Sequence, residues 1–316
     1  MSKVSAEAST GPADSPEDNV GHRAAIDQDI TVVIPTLGRP IIGRCLESIA
    51  AGNLWPREII VIDQGNSKDV LESLQTLQCR GLSCRHVVMQ GTGRAAGLNH
   101  GLAMVTTRFI LVTDDDCEVA TDWLKAMAEH LRSDPQTVVT GTVLAGGDER
   151  VLNTVMGDKA TIARKPGLTY DRLSGGNCGF AIEVLRSVGL FDEDPCMSVA
   201  EDGEWAYRAL RRGVAIAFVP EAVVSHLGWR NLGERLGQYH HYARSHAAFF
   251  GKYLRRGDPF IALRMIVHLA RSSLRWIRGM VRRDKELAAN GRAYVTQLFP
   301  GLIAGFKSRA KPPSLP

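Results

Sequence analysis

From Asp29 onward, short runs of aliphatic and β-branched residues alternate with stretches of helical periodicity, and most runs stop at a polar residue. The runs are DITVVIPT at Asp29–Thr36, EIIVID at Glu58–Asp63, RHVVMQ at Arg85–Gln90 and RFILV at Arg108–Val112. Between them lie a stretch opened by Arg39-Pro40, then KDVLESLQTL at Lys68–Leu77, then GRAAGLNHGLAMV at Gly93–Val105. Pro40 stands where a helix tolerates proline, in its first turn. Strand–helix–strand units join parallel neighbours, so the series predicts an α/β fold with a mostly parallel sheet flanked by helices. Ligands of such sheets bind beyond the carboxyl ends of the strands. Pro35-Thr36, Asp63-Gln64-Gly65 and Asp114–Asp116 all fall at those ends.

The rhythm changes after about Gly141. TVVTGTVLAGG and the glycine-broken LSGGNCGFAI read as strands, with a polar stretch from Asp148 to Arg172 between them as a long loop. EDGEWAYRALRRG reads as a helix that stops at Gly213. VAIAFVP and AVVSHLG read as two short strands, and the chain from Asn231 as mostly helix. The expected division is a disordered tail over 1–28, an α/β domain over 29–230 and a basic helical extension over 231–316. The tail is rich in Ser, Pro, Asp and Glu and has no apolar core, so it does not read as a signal peptide. No run is long and apolar enough to span a bilayer. The six cysteines form no C-x-x-C pair, which speaks against zinc and fits a reducing compartment. The expected location is cytoplasmic, at or near the membrane face.

Charge is distributed unevenly. From Gly228 to Pro316 there are 17 Lys+Arg and 4 Asp+Glu, while the chain as a whole has 38 and 34. Such asymmetry points to an anionic partner for the C-terminal part. Within it, Phe260, Leu263, Val267, Ala270, Leu274, Ile277 and Val281 recur at three- and four-residue spacing, with Arg264, Arg271, Arg275, Arg278 and Arg282 on another face. This is an amphipathic basic helix. It suits an anionic membrane surface, or else packs on its own domain or a second subunit.

Asp114, Asp115 and Asp116 follow the RFILV run after the single residue Thr113. Three like charges at a strand end need a positive partner. A hard divalent cation, Mn2+ or Mg2+, prefers carboxylate and phosphate oxygens, so the cluster predicts a metal and a phosphorylated ligand.

VVIPTLGRP, VIDQG, GTGRAAGLNHGL, LVTDDDCEV, SGGNCGF and AEDGEWAYRALRRG occur in that order. Together they resemble the family-2 inverting glycosyltransferases with a GT-A fold, over roughly Ile30 to Trp229. The resemblance implies a nucleotide-diphosphate sugar donor, a hydroxyl acceptor and a divalent metal. It implies donor contacts from Pro35 and Thr36, from Asp63 to the base, from Arg94 to the diphosphate, and from Asp114 and Asp115. Asp116 is the implied direct metal ligand, with Asp114 and His226 beside it, and Asp115 is open to a metal role. Asp202 is the implied general base, with Glu201 as second choice. Gly175, Gly176 and Asn177 would lie under the sugars, and Trp205 would face an acceptor ring. The basic extension suggests a lipid-linked acceptor; nucleic acid is not an expected partner. The processive members' QxxRW element is absent, which favours transfer of one sugar.

Two other classes compete. A sugar-phosphate nucleotidyltransferase would use a similar sheet, but TLGRPIIG lacks the expected glycine-rich loop and lysine. A non-catalytic nucleotide-sugar-binding adaptor would not need Asp202.

Overall fold

The computed structural model describes residues 24–91, 93–146, 155, 157–228, 232–313 and 315. Nine strands form one sheet: β1 Ala25–Thr36, β2 Leu54–Asp63, β3 Cys84–Val88, β4 Phe109–Thr113, β5 Cys117–Val119, β6 Val138–Gly146, β7 Thr161–Ala163, β8 Asn177–Ala181 and β9 Ile216–Leu227. The order is β3-β2-β1-β4-β8-β6-β9-β5, with β7 also paired to β9. β1 to β4 pair in parallel, as the alternating pattern requires. β8 then runs antiparallel between β4 and β6, so the second half of the sheet is mixed. The helices α1 Ile42–Ala50, α2 Lys68–Cys79, α3 Arg94–Leu102, α4 Trp123–Ser133 and α5 Ile182–Val188 flank it. Val32, Val33, Ile34 and the Phe109–Val112 run are fully buried, because helices cover both faces.

Register sets the functional edge. Thr36 ends β1 opposite Asp63 at the end of β2, and Thr113 ends β4 opposite Asn177 at the start of β8. Cys117 of β5 stands opposite His226 near the end of β9. The acidic cluster therefore sits in the turn between β4 and β5, between the β1–β2 ends and the β9 end.

Three local readings change. β1 begins at Ala25, inside the stretch assigned to the tail, because buried Asp27 accepts from the Asp29 N–H (3.1 Å) and pairs with Arg132. Residues 1–23 lie outside the described residues. VAIAFVP and AVVSHLG form the single strand β9, which passes Pro220 through a register shift against β6 between Gly141 and Thr142. A Cβ on Gly141 would stand 1.9 Å from the Ala222 carbonyl oxygen, so only glycine fits this crossing. The stretch expected as loop contains β7, while most of residues 147–156 lie outside the described set.

The helix α6 (Glu201–Arg211) carries the EDGEW motif. It is clamped by Arg208, which pairs with Glu204 and donates to the carbonyls of Val188 and Leu190 (both 2.8 Å). The extension, α7 Leu232–Leu254, α8 Pro259–Arg282, α9 Lys285–Thr296 and α10 Leu298–Lys307, packs against α6. Tyr253 donates to Glu204 Oε1 (2.6 Å) and Tyr207 of α6 to Asp258 Oδ2 (2.7 Å). Lys252 of α7, fully buried, reaches Asp192 at 2.5 Å and Asp194 at 3.1 Å. The apolar stripe of α8 begins on its own domain, where Phe260 stacks on Tyr207, but is largely uncovered beyond that: Leu263, Leu274, Ile277 and Val281 are exposed. The inward positions are Ile261, Arg264, Ser272 and Gly279, and Arg264 pairs with buried Asp171 at 2.6 Å.

Candidate active site

The first strand ends on a hydroxyl. Thr36 Oγ1 donates to Asp115 Oδ2 (2.6 Å) and accepts from the Gly38 N–H (3.0 Å). Arg39, the third residue of the following loop, forks onto Asp115 through Nε (3.1 Å) and Nη2 and stands 3.4 Å from Asp116 Oδ2. The sequence reading used Arg-Pro only as a helix opening and missed this role. The triple aspartate itself was the available signal, since it demands nearby cations. Asp115 is buried; burial pushes its carboxyl up while Arg39 and Thr36 pull it down, and the balance lies above the usual range. Its expected donor contact is taken instead by Thr36 and Arg39.

Arg94 opens α3 and spans the cleft. Its Nε donates to Asp114 Oδ1 (2.8 Å) and its Nη1 to Glu201 Oε1 (3.3 Å). One guanidinium thus ties the acidic turn to the first residue of α6, next to Asp202. Among the described residues, the buried atoms Arg94 Nη2 and Glu201 Oε2 have no hydrogen-bond partner. Such atoms suit a ligand that brings its own acceptors and donors. Burial raises the Glu201 carboxyl to about 7 against the pull of Arg94, helped by the neighbouring Asp202 charge. Asp202 is half-buried, and its Oδ1 accepts from the Gly203 N–H (2.6 Å).

The glycine pair fits beneath this bridge. A Cβ on Gly175 would lie 2.9 Å from Arg94 Nη2, and one on Gly176 would lie 2.7 Å from Asp114 Oδ2. The pair was expected under the sugars; here it makes room for the Arg94–Asp114 contact.

Asp116 and His226 meet on the other side. His226 Nε2 is 3.6 Å from Asp116 Oδ1, and the buried His226 Nδ1 has no hydrogen-bond partner among the described residues. Among the described residues, Asp116, Cys117 and His226 bring ligand atoms within 4.8 Å of one another. Burial and the adjacent carboxylates push the Cys117 thiol well above its ordinary value, so it stays protonated and is a poor ligand for a hard cation. A carboxylate and an imidazole remain, a set that fits a divalent ion completed by phosphate oxygens. Asp114 falls outside this group and pairs with Arg94 instead, so its expected metal role is not the one its contacts favour.

Four expected contacts are corrected. Asn177 is fully buried: Oδ1 accepts from Trp123 Nε1 (2.8 Å), and Nδ2 donates to the Thr142 and Ala222 carbonyls (both 2.9 Å). No polar atom of its side chain faces a sugar. Trp205 is likewise core, stacked on Phe191 at 5.1 Å with Nε1 donating to the Gly189 carbonyl (2.8 Å). Asp63 is fully buried and caps the turn after β2, accepting from the Gly65 (2.9 Å) and Ser67 (2.8 Å) N–H groups, with His86 Nε2 at 3.0 Å. Pro35 is buried too, against α3 at Gly97.

Residues 31–189 match the model of the family described as Glycosyl transferase family 2. The chain belongs to glycosyl transferase family 2. This glycosyltransferase family, rather than a nucleotidyltransferase one, sets aside the nucleotidyltransferase reading. The pre-mycofactocin glycosyltransferase of Mycobacterium tuberculosis is 25% identical over 210 residues, which cover 63% of this chain and 43% of that protein. The chain thus matches less than half the length of this curated relative. Among solved structures, the mannosyltransferase PcManGT from Pyrobaculum calidifontis, in complex with GDP-Man and Mn2+, aligns with a TM-score of 0.59 at 19% identity, over 88% of this chain and 85% of that one. S. aureus TarS 1–349 in complex with UDP-GlcNAc aligns at 0.55 and 15% identity, over 86% and 91%. The shared architecture is GT-A: a central sheet flanked by helices, continued here by a helical C-terminal region.

Proposed function

We propose that this chain transfers one sugar from a nucleotide-diphosphate donor to a hydroxyl acceptor by an inverting single displacement. The observation that carries the reading is the Arg94 bridge, which joins Asp114 of the acidic turn to Glu201 beside Asp202. That bridge supports reading the acidic turn and the Asp202 end of α6 as two sides of one cleft.

Each residue has a distinct task. Arg94, whose Nη2 has no hydrogen-bond partner among the described residues, offers that one N–H group to a diphosphate oxygen. Asp116 and His226 would hold a divalent cation, and the imidazole in that pair favours Mn2+ over Mg2+. When bound, such a cation stabilises negative charge on a leaving diphosphate. The Asp63-capped turn shapes the base side of the donor cleft, so Asp63 acts through the loop it holds. Asp202 takes the acceptor hydroxyl proton as the oxygen attacks the anomeric carbon. Glu201, held by Arg94 and nearly inaccessible, positions that end of the helix.

Support for a nucleotide-sugar donor comes from the family and from neighbours in complex with GDP-Man or UDP-GlcNAc. The Mn2+ in the mannosyltransferase complex supports the metal. The test is steady-state kinetics on two variants with a matched donor. Asp202→Asn is expected to lower kcat by about a hundredfold or more while donor affinity is kept. Asp116→Asn is expected to flatten the Mn2+ dependence of donor binding. Normal turnover in the first, or unchanged Mn2+ dependence in the second, rejects the corresponding assignment.

A further inference from the structure

We propose that the outward face of α8 is a docking surface for an anionic lipid bilayer, on which the protein lies without crossing it. The helix is 24 residues long, or about 36 Å. Its small and polar positions turn inward: Gly279 meets the backbone of Ala288 in α9, Arg264 pairs with Asp171, and Arg275 donates to Asn290 Oδ1 (2.6 Å). The opposite face carries Leu263, Ile266, Leu274, Ile277, Met280 and Val281, each between 49% and 79% exposed. A helix on a globular domain ordinarily directs its apolar side inward. This helix does the reverse over about 27 Å, from Leu263 to Val281. An apolar stripe of that extent marks a surface made to be covered.

Charge identifies what covers it. α8 contains no Asp or Glu, and none occurs after Glu286. Arg271, Arg278 and Arg282 are exposed and run along one border of the stripe, about a quarter turn from its centre. That border lies at headgroup level when the apolar side chains dip into the acyl region, where arginine meets lipid phosphate. α10 repeats the pattern with Phe299, Ile303 and Phe306 exposed and Lys307 following. Leu269 of α8 and Leu298 of α10 line one small cavity, so the two helices are neighbours. A second copy of the chain would bring positive charge against positive charge. No helix among the described residues is long and apolar enough to cross a membrane, which leaves a surface-lying mode.

This inference stands apart from the transfer mechanism, because its test reads partition rather than turnover. The full-length chain is floated with vesicles of phosphatidylcholine alone or of an equal mixture with phosphatidylglycerol. It is expected to float with the mixed vesicles and much less with the neutral ones, and high salt should weaken the binding. Ile277→Ser with Val281→Ser is expected to reduce partition by about tenfold or more, from the lost apolar contact. Arg278→Gln with Arg282→Gln is expected to remove the preference for anionic vesicles. Both double variants should keep the parent unfolding temperature and donor turnover, since these side chains touch neither the core nor the cleft. Failure to float, flotation untouched by either pair, loss of folding in the serine pair, or a homodimer that the serine pair dissociates overturns the proposal.

Discussion

The carboxamide of Asn177 has no polar atom left for a ligand, because Trp123, Thr142 and Ala222 use all of them. SGGNCGF made Asn177 look available, since sequence gives neighbours along the chain but not the partners on α4, β6 and β9. Trp205 failed for the same reason: an aromatic one turn into a helix is equally compatible with a cleft or a core. Glycine was more informative, as both members of the pair sit where a Cβ would collide with charged groups of the site. At Glu201 the burial-raised carboxyl gives a prediction with a definite sign. Its native pKa of about 7 exceeds that of an unfolded glutamate, about 4.3. Stability from this group is therefore complete below about pH 4 and is lost as pH rises through about 7. Glu201→Gln should match the parent at low pH and exceed it by about 3 kcal/mol at about pH 8, as read by denaturant unfolding at both pH values. No gain at the higher pH would mean that Arg94 fully compensates the buried charge.

At the level of elements, the strands that end at the site were readable because strands covered on both faces leave a continuous apolar signal. Thr36, Asp63 and the triple aspartate could be placed on one edge from that signal alone. β9 was not readable as one strand, because Pro220 breaks the apolar run and the compensating glycine lies on a different strand. α8 was legible as amphipathic, yet periodicity reports a face without saying which way it points. The β4–β5 turn and the β8 start are coupled through Gly176, whose missing Cβ leaves room for Asp114. Gly176→Ala should displace Asp114 and loosen its contact with Arg94. Donor KM is expected to rise by about tenfold to a hundredfold with little change in unfolding temperature. Kinetics together with a thermal scan separate this from simple destabilisation; an unchanged KM would remove the glycine from the donor cleft.

Across the whole molecule, the C-terminal helices are part of the scaffold that holds α6. The composition break near residue 230 suggested an appendage, and pairings such as Lys252 with Asp192 and Asp194 cannot be seen in one dimension. Lys252→Met leaves two acidic groups without their buried counter-charge and is expected to cost about 3–5 kcal/mol, measurable by chemical denaturation. A value near zero would return the extension to the status of a loosely attached module.

Arg39 has a consequence at this scale as well. Seated against Asp115 and Asp116, it neutralises the acidic turn from within the polypeptide. Assembly of the cleft is thereby uncoupled from loading it. Exhaustive chelation should leave the melting curve where it was while abolishing metal-dependent activity, and Arg39→Ala should make the melting curve sensitive to added Mn2+ for the first time. Under the proposed metal role, a protein wired in this way can wait, fully formed, for a cation that arrives with its substrate.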